Sequence, residues 1–302
     1  MFKQVLVGVD DGQGGRDAIA LAKLLAGSDA ALTFAHIYHA DRPMPWAFQD
    51  PVLPERAEAA HKLLEQAAAQ AGVQAHLRWE GAPSVGRGLH EVAEAVNADL
   101  LVVGSSRQGL LGRVFLADDT HSALNGAPGA IAIAPAGFAT GAHVVHEIGV
   151  GYDGSPESDH ALAVAKDLAA SLGGKVSAFE AVGVPQFGYS GLSTTRPAAR
   201  TIEQLVEQAR QAITALGVEA HVTYGDPAEE LTVYSASLDL LVVGSRNYGP
   251  FGRLIHGSVA KRLARSARCP LLVLPRGARE AAVGSGSASA SASSPDAVGA
   301  AG

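Results

Sequence analysis

One cysteine, Cys269, stands in 302 residues, so no intrachain disulfide can form. It precedes Pro270 at the head of an apolar run, a setting for buried packing rather than reactivity. Aromatic residues make up only 5% of the chain, while alanine and glycine abound, which suits helices lying close on sheets. Long apolar runs are missing. The run Val5 to Val9 is interrupted by Gly8 and ended by Asp10, too short for a signal peptide, and no other run approaches membrane length. The cytoplasm is the expected compartment. Basic residues are in deficit, with a net charge of −7, which argues against a general binder of nucleic acid or anionic membranes.

Several chemistries lack their motifs. No Gly-x-Ser-x-Gly elbow occurs, and no Lys-Ser/Thr follows a glycine loop. Gly149 to Gly154 spells the dinucleotide fingerprint, but Gly151 falls inside an expected strand rather than in the turn after it. The pairs His36/His39 and His143/His146 sit three apart, a spacing that points to opposite sides of a strand and makes no metal pincer. A Mg2+ ion would have to arrive with a ligand's phosphates, because the sequence offers no ligand set of its own.

What the chain does have is a repeat. Val150-Gly151-Tyr152-Asp153 answers Val7-Gly8-Val9-Asp10, and Ala161 to Lys166 answers Ala18 to Lys23. Asp239 to Ser245 repeats Asp99 to Ser105, and Gly249, Gly252, Arg253 and Pro275 follow Gly109, Gly112, Arg113 and Pro135 at a constant offset of 140. Each copy alternates five short β-branched strands with helices, which predicts a parallel sheet covered on both faces. The expected division is 1–140, 141–277 and a Gly/Ala/Ser tail, 278–302, unable to bury a core. The segment Ala136 to Val145 reads as the linker.

The second copy organises its chemistry between Leu238 and Pro275. The strand Leu240 to Val243 stops at Gly244-Ser245, a glycine-bearing loop follows, and Gly257-Ser258 opens a helix. Ligands of open α/β sheets sit at the carboxyl ends of strands, and helix N-termini favour anions. No acidic residue lies between Leu240 and Pro275, while Arg246, Arg253, Lys261, Arg262, Arg265 and Arg268 do. The pattern predicts a phosphate-bearing ligand held mainly by backbone.

On these residues the chain resembles the universal stress protein family in its tandem two-domain form. The marks are the Val-Gly-x-Asp strand, the Gly225-Asp226-Pro227 turn and the Leu-Val-Val-Gly-Ser strand. The family's nucleotide motif is Gly, two residues, Gly, nine residues, Gly, Ser/Thr. The second copy supplies Gly244, Asn247 and Gly257-Ser258; the first supplies Gly104, Arg107, Ala117 and Asp118, with Asp119 beside it. The resemblance implies two Rossmann-like, flavodoxin-like domains of strand order 3-2-1-4-5, paired through strand 5. It also implies ATP binding in some members and not in others, and leaves room for homo-oligomers.

Asn tolerates left-handed backbone, so Asn247 serves if the glycine is needed for positive φ and hinders if phosphate must pass where a Cβ stands. Asp118 at a helix N-terminus repels a polyphosphate, or simply caps the helix; both readings predict a lost site. By resemblance Asp153 lies near adenine and ribose and Ala181 touches the base, with Val243 and Val259 beside them. Asp153 as a loop cap, and Ala181 and Val243 as core, are the plain alternatives. Ser258 donates to phosphate, caps its helix, or both. Arg246 is a candidate phosphate partner. Arg253 has a counterpart in the first copy and so competes with a structural role. Lys261, Arg262, Arg265 and Arg268 read as a solvated helix face. The expected function is binding of ATP or a related adenine nucleotide by the second copy in a stress response, with no catalytic residue assigned. A scaffold without nucleotide and a slow ATP hydrolase are the alternatives.

Overall fold

Short apolar runs bounded by glycine or a charged residue become the strands, and the segments of helical period between them become the helices. The computed structural model describes residues 1–40, 53–105, 129–141, 143–183, 199–245 and 258–275. The first half contains β1 (Phe2–Gly8), α1 (Gln13–Leu25), β2 (Ala26–His39), α2 (Leu53–Ala71), β3 (His76–Ala82), α3 (Val85–Ala95), β4 (Leu100–Gly104) and β5 (Ala130–Ala134). The second contains β6 (Glu147–Gly151), α4 (Pro156–Leu172), β7 (Lys175–Val182), α5 (Ala199–Ala215), β8 (Glu219–Tyr224), α6 (Pro227–Tyr234), β9 (Leu240–Gly244), α7 (Ser258–Ser266) and β10 (Leu271–Leu274).

All strands join one ten-stranded sheet of order β3-β2-β1-β4-β5-β10-β9-β6-β7-β8. Each half has the order 3-2-1-4-5 and is parallel throughout. The halves meet where β5 runs antiparallel to β10, Leu271 opposite Ile133, Leu272 opposite Ala132 and Val273 opposite Ile131. Alternation sends side chains to two cores. One, with Val7, Leu21, Phe34, Leu64, Val150 and Leu162, lies under α1, α2, α4 and α5; the other, with Leu89, Val103, Leu231, Val243 and Leu263, lies under α3, α6 and α7.

Local signals place the ends. Ser84 caps α3 by accepting from Arg87 N, and Asp226 caps α6 by accepting from Ala228 N and Glu229 N at 3.1 and 3.0 Å, with Pro227 in the first turn. Asp239 accepts from His146 N and Glu147 N at 2.8 and 2.9 Å, and Asp99 does the same for Lys3 N and Gln4 N at 2.8 and 3.0 Å. The aspartate opening each Asp-Leu-Leu-Val-Val-Gly-Ser repeat thus fixes the start of the neighbouring first strand. β2 begins earlier than its apolar core (Leu32 to Tyr38) predicts, because Phe2 pairs with Ala26 before the register shifts.

The linker is not a free tether. Asp17 of α1, fully buried, accepts from Gly137 N at 2.8 Å, Ala139 N at 2.7 Å and Gln13 Nε2 at 2.8 Å. A buried carboxylate is retained only where its lone pairs are matched, and these three donors match them. Phe138 and Val145 are buried, and the His143 ring stacks on Phe138 with centroids 3.7 Å apart.

Candidate functional site

The switch point of the second half lies where β6 and β9, hydrogen-bonded neighbours, send their connections to opposite faces of the sheet. Gly151 ends β6 opposite Val243, and a Cβ on it would meet Val243 Cγ1 at 3.1 Å and Leu231 Cδ1 at 3.3 Å. The dinucleotide fingerprint is therefore misplaced, since its middle glycine is a strand residue. Tyr152 N donates to Phe179 O at 2.9 Å and holds the chain to β7 for one more residue. Asp153 follows, exposed, its Oδ1 accepting from Ser155 N at 3.0 Å. Gly154 takes φ +72°, a left-handed turn suited to glycine. Asp10 behaves alike, accepting from Gly12 N and Gly15 N at 2.9 and 2.8 Å. The loop-capping role of Asp153 is thus present, one of the two readings of this residue.

Ala181 stands near the end of β7, and Val259 in the first turn of α7; both pack on the core cluster that contains Val243. Ser258 opens α7 and is exposed, and the first turn carries no acidic residue. Arg246, Asn247, Arg253 and Gly257 lie outside the described residues, as do Arg107, Ala117, Asp118 and Asp119 of the first half.

Gly244 has a reason of its own. A Cβ there would lie 2.5 Å from Glu157 O and 2.9 Å from Glu157 Cβ, so the glycine lets the first turn of α4 rest on the end of β9. Gly104 makes the same allowance for the backbone of Gly14. The first glycine of the motif survives in both halves because both need that approach. What separates the halves is Gly257-Ser258 against Ala117-Asp118.

Arg262 corrects the reading of α7 as a solvated face. Its Nη1 lies 2.7 Å from Asp226 Oδ1 and its Nη2 3.1 Å from Glu229 Oε1, tying α7 to the first turn of α6. Those carboxylates stand more than thirty residues away in sequence, which hid the pairing. Thr232 Oγ1 and Ser266 Oγ, 2.8 Å apart, add a second tie. Lys261, Arg265 and Arg268 are exposed, and Arg268 N donates to Ser235 Oγ at 2.9 Å.

Titration follows burial. Burial raises the Cys269 thiol well above its ordinary range, in keeping with a packing role. Burial first, then the hydrogen bond to Asp159, pushes the Tyr152 phenol up to about 12. Burial also raises the Glu180 carboxyl. Among the described residues no group of three or more His, Cys, Asp or Glu side chains is arranged to hold a metal ion. His36 Nδ1 lies 2.8 Å from Val9 O, and His143 is taken up by its stack on Phe138.

The fold defines a class: a tandem α/β protein whose two parallel half-sheets join at their fifth strands. The chain belongs to the universal stress protein family, whose model matches residues 1–135 and 145–275. A universal stress protein of Mycolicibacterium smegmatis is 29% identical over 289 residues, 89% of this chain and 96% of that one. One from Thermus aquaticus is 32% identical over 132 residues, 41% of this chain and 93% of its own length. Among solved structures, a universal stress protein from Archaeoglobus fulgidus superposes with a TM-score of 0.62 at 18% identity, over 91% of this chain and 97% of the other, which shows the shared fold. No helix among the described residues is long and apolar enough to cross a membrane.

Proposed function

We propose that the second half, residues 141–277, binds ATP or a related adenine nucleotide at the ends of β6 and β9, and that the first half, residues 1–140, is its fixed partner. In this reading Asp153 and Ala181 meet the adenosine and Val243 lies beneath it. The phosphates, with any Mg2+ they bring, lie along Gly244, Arg246, Asn247, Gly257, Ser258 and Val259. The observation that carries the reading is the start of α7: an exposed Ser258 and a first turn free of carboxylates, beside the switch point. At the matching position the first half has Asp118-Asp119. The cytoplasm, which supplies ATP, is the compartment, and a stress response the setting.

Equilibrium titration with a fluorescent ATP analogue should give one site per chain, lost in Gly257→Asp. Saturating ATP at a hundred times Kd should stabilise the fold by about 2.7 kcal/mol. Two equal sites would remove the asymmetry. The absence of both binding and thermal shift would support the second reading, a scaffold without nucleotide, which Asn247 at a motif glycine favours. For hydrolysis, no described residue is placed as a general base, and turnover abolished by Ser258→Ala would be needed to assign it.

A further inference from the structure

A cavity of about 720 Å3 opens between α1 and α2 of the first half, within the size range of small-molecule sites. Its apolar wall includes Val9, Ile19, Leu63 and Phe138, which belong to or pack on the core of the α1/α2 face. Ala181, Val243 and Val259 of the candidate nucleotide site belong to the second half, so this cavity is separate from that site.

Two cations of α1 border it, and neither meets a carboxylate among the described residues. Arg16 donates from Nε and Nη2 to Gln13 Oε1 at 3.2 and 2.9 Å, and Lys23 donates from Nζ to Ala71 O at 3.0 Å. Lys62 of α2 also borders it and pairs with Glu58 at 2.7 Å. Asp10 and Asp11 stand at its β1 end, where Asp10 Oδ1 is already taken up by the amides of Gly12 and Gly15.

The second half carries different side chains at the same place. The repeat sets Tyr152 at the position of Val9, Asp159 at that of Arg16 and Glu207 at that of Lys62. Tyr152 packs on the core and donates from its hydroxyl to Asp159 Oδ1 at 2.7 Å, so a ring anchored to α4 takes the space beside β6. The lysine shared by both halves, Lys23 or Lys166, caps the end of the following helix in each, with Lys166 Nζ 2.8 Å from Leu216 O. The differences all act together: a small apolar residue and two cations in the first half, a phenol and two carboxylates in the second.

We propose that the groove between α1 and α2 binds a medium-chain alkyl carboxylate, its head group on Arg16 and its chain along Ile19 and Leu63 toward Lys23. Arg16 has donors left beyond the two given to Gln13, and a guanidinium matches a carboxylate in geometry and charge. From Arg16 to Lys23 the helix rises about 10 Å, the extended length of roughly eight alkyl carbons. The site is independent of nucleotide.

Isothermal titration with decanoate and decyltrimethylammonium below their micellar concentrations, and with decanol below its solubility limit, tests it. Decanoate should bind once per chain, and the alcohol and the ammonium at least tenfold more weakly. Arg16→Gln should weaken decanoate at least tenfold while leaving the melting temperature and binding of the fluorescent ATP analogue unchanged. Val9→Tyr with Arg16→Asp, which installs the residues of the second half, should abolish decanoate binding; where that pair fails to fold, Arg16→Gln decides. No saturable decanoate binding, equal binding of all three amphiphiles, several decanoates per chain, or wild-type affinity in Arg16→Gln would each overturn the proposal.

Discussion

At the scale of single residues, burial and close approach settle roles that residue type leaves open. Gly244 answers to α4 before it answers to any ligand, since the backbone of Glu157 occupies the space of its Cβ. Glu180 of β7 is half-buried, and burial raises its carboxyl. A raised folded pKa gives a contribution that is whole below the unfolded pKa and is lost as pH rises through the folded one, so at neutral pH the folded chain carries a partly desolvated charge. Glu180→Gln should therefore raise stability at pH 7 by less than about 1 kcal/mol, with the gain vanishing near pH 4; urea titrations of both proteins at the two pH values check it. A gain of equal size at both would mean that the side chain's shape, not its charge, is responsible. Such roles are poorly legible in a sequence. Asp17 looks like one more polar residue on α1, and only the fold brings Gly137 and Ala139 to it from 120 and 122 positions away.

At the scale of elements, the repeat made most of the architecture legible. The strand Asp-Leu-Leu-Val-Val-Gly-Ser and the Gly-Asp-Pro turn are local signals, and local signals survive folding. Partners across elements are not local, which is why Arg262 read as a solvated cation although Asp226 and Glu229 hold it. Asp226 carries two duties, capping α6 and receiving Arg262. Asp226→Ala should cost about 1 kcal/mol, the ordinary worth of a cap. Arg262→Ala should cost less than about 1 kcal/mol, because the pair is half-exposed and screened by salt. A double-mutant cycle on urea unfolding measures the coupling, expected at no more than about 0.5 kcal/mol and smaller at high salt. A coupling that salt does not change would point to packing between α6 and α7 instead. The tie matters for the candidate site because it aims the N-terminus of α7. The loop between β9 and α7, with Asn247, lies outside the described residues.

At the scale of the whole molecule, one sheet runs through both halves because β5 and β10 give each other the partner that an edge strand lacks. Ile131, Ile133, Leu271, Leu272 and Val273 are fully buried at the seam, and each half alone would present such an edge to water. An apolar, unprotected edge pairs with whatever strand offers itself, and in an isolated half the matching strand belongs to another copy. Residues 141–277 produced alone should therefore form a dimer through β10, seen as a doubled mass by light scattering. Adding residues 1–140 should convert it to a one-to-one complex, because β10 then regains its own partner, with Leu271, Leu272 and Val273 opposite Ile133, Ala132 and Ile131. Leu272→Lys, placing a charge at the centre of the seam, should leave the isolated half monomeric while its helix content persists. A folded, monomeric 141–277 with the natural Leu272 would mean that the edge is stable in water by itself. The pairing would then be a consequence of the tether rather than of the strands, and the first half would lose its place as the fixed partner of the second.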